Sequence, residues 1–437
     1  MGRFFKIGLL CLILFSVIFT GCAKKESNSK QIVIWHWMTD RDDAFQKLAK
    51  KYEEKTGVKV KFELYAPSDV YTKKVRAAAQ TNTLPDIFGI LGESQDIARF
   101  VKSGYVVDMT PYLDAENGKW RNIFYEKAIA TNEFKEGNAF GIKPGIYGIP
   151  IDVTNIQFLY NKKIFKQAGL DPDSPPKTWD EFIKAGEKIK ALGKPVIVCG
   201  FAETWIIDSI ASCFAINIMG FHKYEKTIKG DVPYTDKDWI KVFELFDELS
   251  KRKFFITGIV SLVNKQSERY FSREEAAITY NGSWAVNVFK GMNPNLQYGT
   301  MLPPAINPKN PVMIQGGAGS SFFVNSTSKM KDESIKFLKW ITAKEQQLFL
   351  VKETNNLPSN KYTFEAGKHG ILQEFADDMD KMFHPQTLNY YEKPRVLEYM
   401  GKGIQGIILG EKTPQQLAKE LQELKEKLIQ EDKSFEK

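Results

Sequence analysis

Strand-like and helix-like periods alternate over residues 31–90, and that alternation restricts the fold more than any other feature of the chain. "QIVIW" (31–35) is a short β-branched run, and Thr39 or Asp40 can cap a helix carrying Phe45, Leu48, Ala49 and Tyr52 on one face. Gly57 ends that helix. Val58, Val60, Phe62 and Leu64 then alternate with Lys59, Lys61 and Glu63 as a strand, a helix runs through Val75 and Ala79, and "DIFGI" (86–90) is a third strand. This βαβαβ order predicts an open α/β sheet with ligand-facing loops at the carboxyl ends of its strands. Trp37 and Glu93 sit on two such loops.

The alternation restarts after the Gly-rich "GIKPGIYGIP" (141–150), with "NIQFLYN" (155–161) as a strand. Thr178 and Glu181 form a T-x-x-E capping box for a helix bearing Phe182, Ile183 and Ile189, and "PVIVCG" (195–200) is the next strand. An amphipathic helix near residues 239–249 and the apolar strand "AAITY" (276–280) follow, then the Pro-rich "MLPPAINPKNP" (301–311), which reads as a crossing segment. "SSFFVN" reads as a strand and residues 334–350 as a helix. Thr413 and Pro414 open a last helix with Leu417, Leu421, Leu424 and Leu428 on one stripe.

At the amino terminus, Arg3 and Lys6 precede an apolar run over residues 7–20, the order of a secretory signal, and the run is too short to span a bilayer. Cys22 directly after Gly21 resembles the bacterial lipobox, with Phe19 in place of the usual leucine. Residues 1–21 are therefore expected to be a lipoprotein signal peptide, Cys22 the lipid-bearing residue and 22–30 a polar tether. Removing the first 21 of 437 residues leaves 416, too many for one ordinary core and suited to two lobes. Loss of Arg3 and Lys6 lowers the basic count from 61 to 59 against 53 acids, a net of +6. The charges are interspersed, as in "KKYEEKTGVKVKFE", with no basic stripe, so no nucleic-acid partner is expected. Cys199 and Cys213 are either buried thiols or one disulfide. His36, His222, His369 and His384 lie too far apart for metal-ligand spacing, and no cofactor is implied.

"GGAGSS" (316–321) has the glycines of a phosphate loop without its lysine or spacing. "ETW" (203–205) and "NGSW" (281–284) put tryptophans just beyond strand-like runs. Glu93 and Asp152 can be read as the carboxylate pair of a secreted glycosidase, whose separation the sequence does not give. Carboxylates and tryptophans equally make a sugar site without chemistry: an indole stacks on the apolar face of a pyranose, and a carboxylate accepts from two hydroxyls.

From "IVIWHWMTDRDDAF" through "LPDIFGILGES", "IYGIPIDVTNIQFLYNKKIFKQAGL", "KTWDEFIKAGEKI", "AAITYNGSWAV" and "GGAGSSFFVNSTSK", the chain resembles the family 1 extracellular solute-binding proteins of carbohydrate ABC transporters, relatives of maltodextrin-binding protein. The resemblance implies a two-lobed periplasmic-binding-protein-like α/β fold (type II) with three interlobe crossings, near residues 136–144, 310–315 and 355–358. It implies an N-terminal lobe of 31–140 and 314–355 and a C-terminal lobe of 141–313 and 356–437. Function follows as a monomeric, non-enzymatic receptor, anchored outside the cell, that delivers a sugar to the permease subunits of an ABC transporter. The same fold with a non-sugar solute is the alternative. Residue by residue, the resemblance points to Trp37 with Asp40 beside it, Glu93 after the "PDI" strand, Asp152 after "GIP", Glu203 and Trp205, Trp284 of "NGSW" as the stacking ring, and Gly316 and Gly317 at a crossing.

Overall fold

The computed structural model describes residues 30–66, 68–91, 94–138, 140–363, 370–388 and 392–435. Cys22, the leader and Glu93 lie outside these residues, so the expectations placed on them have no structural counterpart here.

The strands are β1 Gln31–His36, β2 Lys59–Leu64, β3 Ile87–Gly89, β4 Glu133–Phe134, β5 Gly145–Ile146, β6 Ile149–Asn161, β7 Ile197–Val198, β8 Ile278–Gly282, β9 Tyr298–Met301, β10 Ile314–Val324, β11 Leu357–Pro358 and β12 Met382–Phe383. One mixed sheet runs β2-β1-β3-β10-β6-β8-β7, with β9 and β11 on β6 and β12 on β10. β1 pairs in parallel with β2 and β3, as the βαβαβ pattern requires. β10 then enters antiparallel to β3 and β6, and β6 is antiparallel to β8. Two long strands, β6 and β10, thus belong to both halves of the molecule.

Two separate cores make the lobes. Ile32, Ile34, Phe45, Leu48, Phe62, Ile149, Ile151, Phe322 and Leu338 pack in the first. Phe158, Phe182, Phe214, Trp239, Phe243, Tyr280, Met400 and Leu421 pack in the second. A third cluster, including Val153, Leu159, Phe289, Ile314, Leu357, Phe375 and Met382, lies where β6, β10, β11 and β12 meet. Burial of these side chains contributes on the order of 1.5–3 kcal/mol each relative to exposure, which is why the lobes follow the apolar pattern.

The crossings fall elsewhere than the sequence suggests. Residues 136–144 lie between β4 and β5, and Ile146, Ile149 and Ile151 are still in the first core. The chain changes lobes within β6, whose first half pairs with β10 and whose last half pairs with β8 and β9. Residues 306–311 stay with the second lobe: the buried Asn217 amide accepts from the Ile306 and Asn307 amides and donates to the carbonyls of Asn307, Asn310 and Pro311. The second crossing is β10 itself. After β11 the chain returns to the first lobe, where Ser359 donates to Gln347 and Asn360 to the Thr342 carbonyl. It rejoins the second by the helix Ile371–Asp377, whose Glu374 accepts from Thr300 of β9. Cys199 and Cys213 are buried and unpaired.

Candidate functional site

Two tryptophans rest on bare backbone, one in each half. Trp37 follows β1, and its ring lies on Gly89 at the end of β3: a Cβ added there would stand 2.2 Å from Trp37 Cζ3. Tyr71 packs 5.2 Å from that ring and, through its hydroxyl, fixes the Gly89 peptide by accepting from its amide at 2.8 Å. Trp284 repeats the arrangement after β8, where a Cβ on Gly282 would be 2.0 Å from its Cζ3. In both places glycine permits a flat ring to lie against the strand end, and each tryptophan stays partly exposed.

Trp205 joins Trp284 with centroids 6.1 Å apart at 56°. It lies in the first turn of the helix Thr204–Met219, not on a free loop, and is 40% exposed. Glu203 is already engaged, accepting from Trp205 Nε1 at 2.9 Å and from the Asn264 amide at 2.7 Å. Its carboxylate positions the indole.

Asp40 and Asp152 are brought together by a residue the sequence did not flag, Arg41. Its guanidinium pairs with Asp152 at 2.6 Å and Asp40 at 3.2 Å and donates to Ser320 Oγ at 3.1 Å and Asn356 Oδ1 at 3.2 Å. Asp152 also accepts from the Ser320 amide at 2.7 Å and hydroxyl at 2.6 Å. Burial pushes the Asp40 carboxyl up, but the charge of Arg41 and the Asn356 hydrogen bond outweigh it and hold it below the usual carboxylate range. Arg41, rather than Asp40 or Thr39, precedes the helix Asp42–Thr56, and no side chain caps it. Its partners lie on β6, β10 and the segment entering β11, so one cation ties the two long strands shared by the lobes to the segment that leads into β11. This arrangement turns both Asp152 oxygens to the protein, Oδ1 to Ser320 and Oδ2 to Arg41.

Gly316 and Gly317 are buried. A Cβ would meet Met382 Sδ at 2.5 Å from the first and Thr131 Cγ2 at 2.6 Å from the second. The open backbone lies two residues on, at Ala318 and Gly319, where the pairing of β10 with β6 slips between Ala318 and Ser320 and again before Ser321. These residues, with Trp37, Thr131, Asn132, Ser321 and His384, line a cavity of about 170 Å³. Burial pushes the His384 imidazole down to about 4, so it is neutral at physiological pH. Thr131, Asn132 and His384 carry no local signal in the sequence. "GGAGSS" spans this part of β10. Among the described residues no group of histidine, cysteine and carboxylate side chains is placed to hold a metal ion.

Residues 36–348 match the family described as bacterial extracellular solute-binding protein. The multiple sugar-binding protein of Streptococcus mutans serotype c is 26% identical over 423 residues, covering 88% of this chain and 93% of that protein. The melibiose/raffinose/stachyose-binding protein MelE of Bacillus subtilis is 23% identical over 410 residues, 90% of this chain and 87% of that protein. Among solved structures, an ABC transporter solute-binding protein from Thermotoga lettingae TMO bound with α-D-tagatose superposes with a TM-score of 0.75 at 21% identity, covering 92% of this chain and 100% of that one. The chain therefore belongs to the bacterial extracellular solute-binding proteins, a family of binding proteins rather than enzymes.

Proposed function

We propose that the protein is a receptor that holds a sugar or oligosaccharide between its lobes and delivers it to the permease of an ABC transporter. The observation that carries this reading is the pair of tryptophans, Trp37 and Trp284, each laid on a glycine and left partly exposed, the kind of surface a pyranose stacks on. Trp205 extends the second platform. The family match and the sugar named for the Streptococcus and Bacillus relatives support the same reading. Trp37, Trp205 and Trp284 are the stacking residues. Glu93 is a hydroxyl acceptor, and Asp40, Asp152 and Glu203 hold the platforms and the lobe connections in place. Gly316 and Gly317 let β12 and Thr131 close over β10. Lobe closure on the sugar completes the site. The receptor acts as a monomer on the outer face of the membrane through a lipid on Cys22, which the "TGC" border motivates; Cys22→Ser should leave full-length protein in the soluble fraction, and a variant still in the membrane fraction refutes the anchor.

Calorimetric titration of the full chain, solubilised in a sugar-free detergent, with maltotriose, cellobiose, melibiose, raffinose and N,N′-diacetylchitobiose, their acidic and phosphorylated forms, and a polyamine and peptide set, tests the function. Saturable binding of at least one sugar is expected. Binding confined to polyamines or peptides, or to nothing in the set, overturns it.

A further inference from the structure

An indole as open to solvent as that of Trp205 keeps one orientation only if something fixes it. Glu203 does so from one carboxylate oxygen, and its other oxygen accepts from the backbone amide of Asn264. Asn264 opens the helix Asn264–Ser272, whose first residue is pressed onto the backbone just past β7: a Cβ on Gly200 would stand 2.4 Å from the Asn264 nitrogen. One turn on, Glu268 lies on the same face of that helix and is wholly buried. Its Oε1 accepts from the side-chain amides of Asn264 at 3.1 Å and of Asn281, on β8, at 3.2 Å, and its Oε2 accepts from the Lys265 ammonium at 2.9 Å. Asn281 Oδ1 in turn accepts from the Gly282 amide at 2.9 Å, and Gly282 is the residue on which the Trp284 ring rests. A continuous path of hydrogen bonds therefore runs from the Trp205 indole through Glu203, Asn264, Glu268 and Asn281 to the shelf beneath Trp284. Burying a carboxylate costs free energy that an apolar side chain of the same size would not, and Lys265, whose side chain is 65% exposed, offsets little of it. What the carboxylate supplies in return is one oxygen shared by two amides, one on the helix that anchors Glu203 and one on the strand that carries Gly282.

Resting on the sugar-receptor reading, we propose that Glu268 is a positioning residue for recognition: its Oε1 joins the support of Trp205 to the support of Trp284 and so sets the angle between the two rings. The ligand touches neither Glu268 nor the two asparagines. It meets a pair of indoles already held at 56°, and less of its binding free energy goes into ordering them.

The test compares Glu268→Gln, which keeps an oxygen for both amides, with Glu268→Met, which keeps the length of the side chain and strands both. Each full-chain variant is titrated with whichever of maltotriose, cellobiose, melibiose, raffinose and N,N′-diacetylchitobiose binds the parent tightest. Glu268→Gln should bind within about threefold of the parent, and Glu268→Met about tenfold or more weakly. The rings are read directly by fluorine spectra of fluorotryptophan-labelled protein, with the Trp205 and Trp284 lines assigned from their phenylalanine variants. Glu268→Met should move those two lines and leave the lines of the other tryptophans in place, a pattern that a general loss of stability does not produce. Should Glu268→Met fail to fold, Asn264→Ala takes its place: it opens the path but keeps the backbone amide on Glu203, and should move the same two lines and weaken binding about threefold or more. Parental affinity in the folded variant, or Trp205 and Trp284 lines that stay where they were, overturns the proposal. So does Glu268→Gln binding as weakly as Glu268→Met, which would assign the effect to the charge and not to the shared oxygen. If no sugar in the set binds the parent, the receptor reading fails by itself, and the fluorine lines still decide whether Glu268 holds the two rings.

Discussion

Replacing Arg41 by methionine tests whether one cation joins the lobe connections. The Arg41 side chain is 8% exposed and that of Asp152 6%, so the variant leaves the Asp152 carboxylate buried with the Ser320 amide and hydroxyl as its remaining donors. Removing one partner of a buried pair costs about 3–5 kcal/mol, and the two surviving donors place the loss near the lower end. About 400 folded residues unfold with an entropy of roughly 0.85 kcal/mol per kelvin, so a loss of about 3 kcal/mol lowers Tm by about 3–4 °C. A lobe that melts alone, at about half that size, shifts about twice as far. Scanning calorimetry of the parent, Arg41→Met, and the double variant Arg41→Met with Asp152→Asn measures it. The double variant should recover more than half of the loss, because the stranded charge is gone. A shift below about 1 °C in the single variant, or no recovery in the double, refutes the ion pair as the joint.

Three further outcomes follow. Gly89→Ala must push the Trp37 ring off its shelf, and Trp284→Ala removes the other platform; each should weaken sugar binding about ten- to hundredfold, the 1–3 kcal/mol of a lost stacking face, and unchanged calorimetric affinity in both would return the two rings to the core. Because Arg41 and Asn356 depress the Asp40 carboxyl against the opposing pull of its burial, the stability it contributes is present above about pH 4 and fades as the pH falls through its lower folded value; urea melts between pH 3 and 5 should show a shallower acid slope in Arg41→Met than in the parent, and equal slopes would deny Asp40 this part. Cys199 and Cys213, pushed by burial to about 12, should resist a thiol reagent in the folded Cys22→Ser protein and react once it is denatured, and rapid labelling without denaturant would contradict their burial.

Local signals found the local elements. The alternation at Val58, Val60, Phe62 and Leu64 gave β2, and the Thr178–Glu181 box is present with the Thr178 hydroxyl accepting from the Glu181 amide. β6 was half seen, because Ile149–Val153 is buried on both faces and shows no alternation from which a strand could be read. The glycines and prolines of 141–150 carry the chain into β5 and β6. The helix expected over 334–350 is two, Lys331–Ile341 and Lys344–Thr354, broken where the Thr342 hydroxyl accepts from Trp120 and donates back to Leu338. Arg41 was invisible for a different reason: its partners Ser320 and Asn356 are 279 and 315 residues away, and no pattern within a window relates them. His384, alone among distant histidines, became meaningful only when β12 carried it over Gly317.

The tryptophan shelves and the lobe connections also explain one another. A hinge needs backbone whose dihedrals can change without opening a core, and a ligand can favour one hinge state only by contacts that differ between states. On β10 the register slips at Ala318–Ser321, so these residues are held by fewer ladder constraints than the paired residues on either side. The same residues wall the cavity beneath Trp37. On the receptor reading proposed above, a sugar pressed against them would act on the segment whose conformation relates the lobes, while Arg41 holds Ser320, Asp152 and Asn356 together. Bending about that cluster would, on the same reading, move the Trp284 and Trp205 platform relative to Trp37 with little change in either core. On that reading recognition and closure would share one strand, with no separate relay between them.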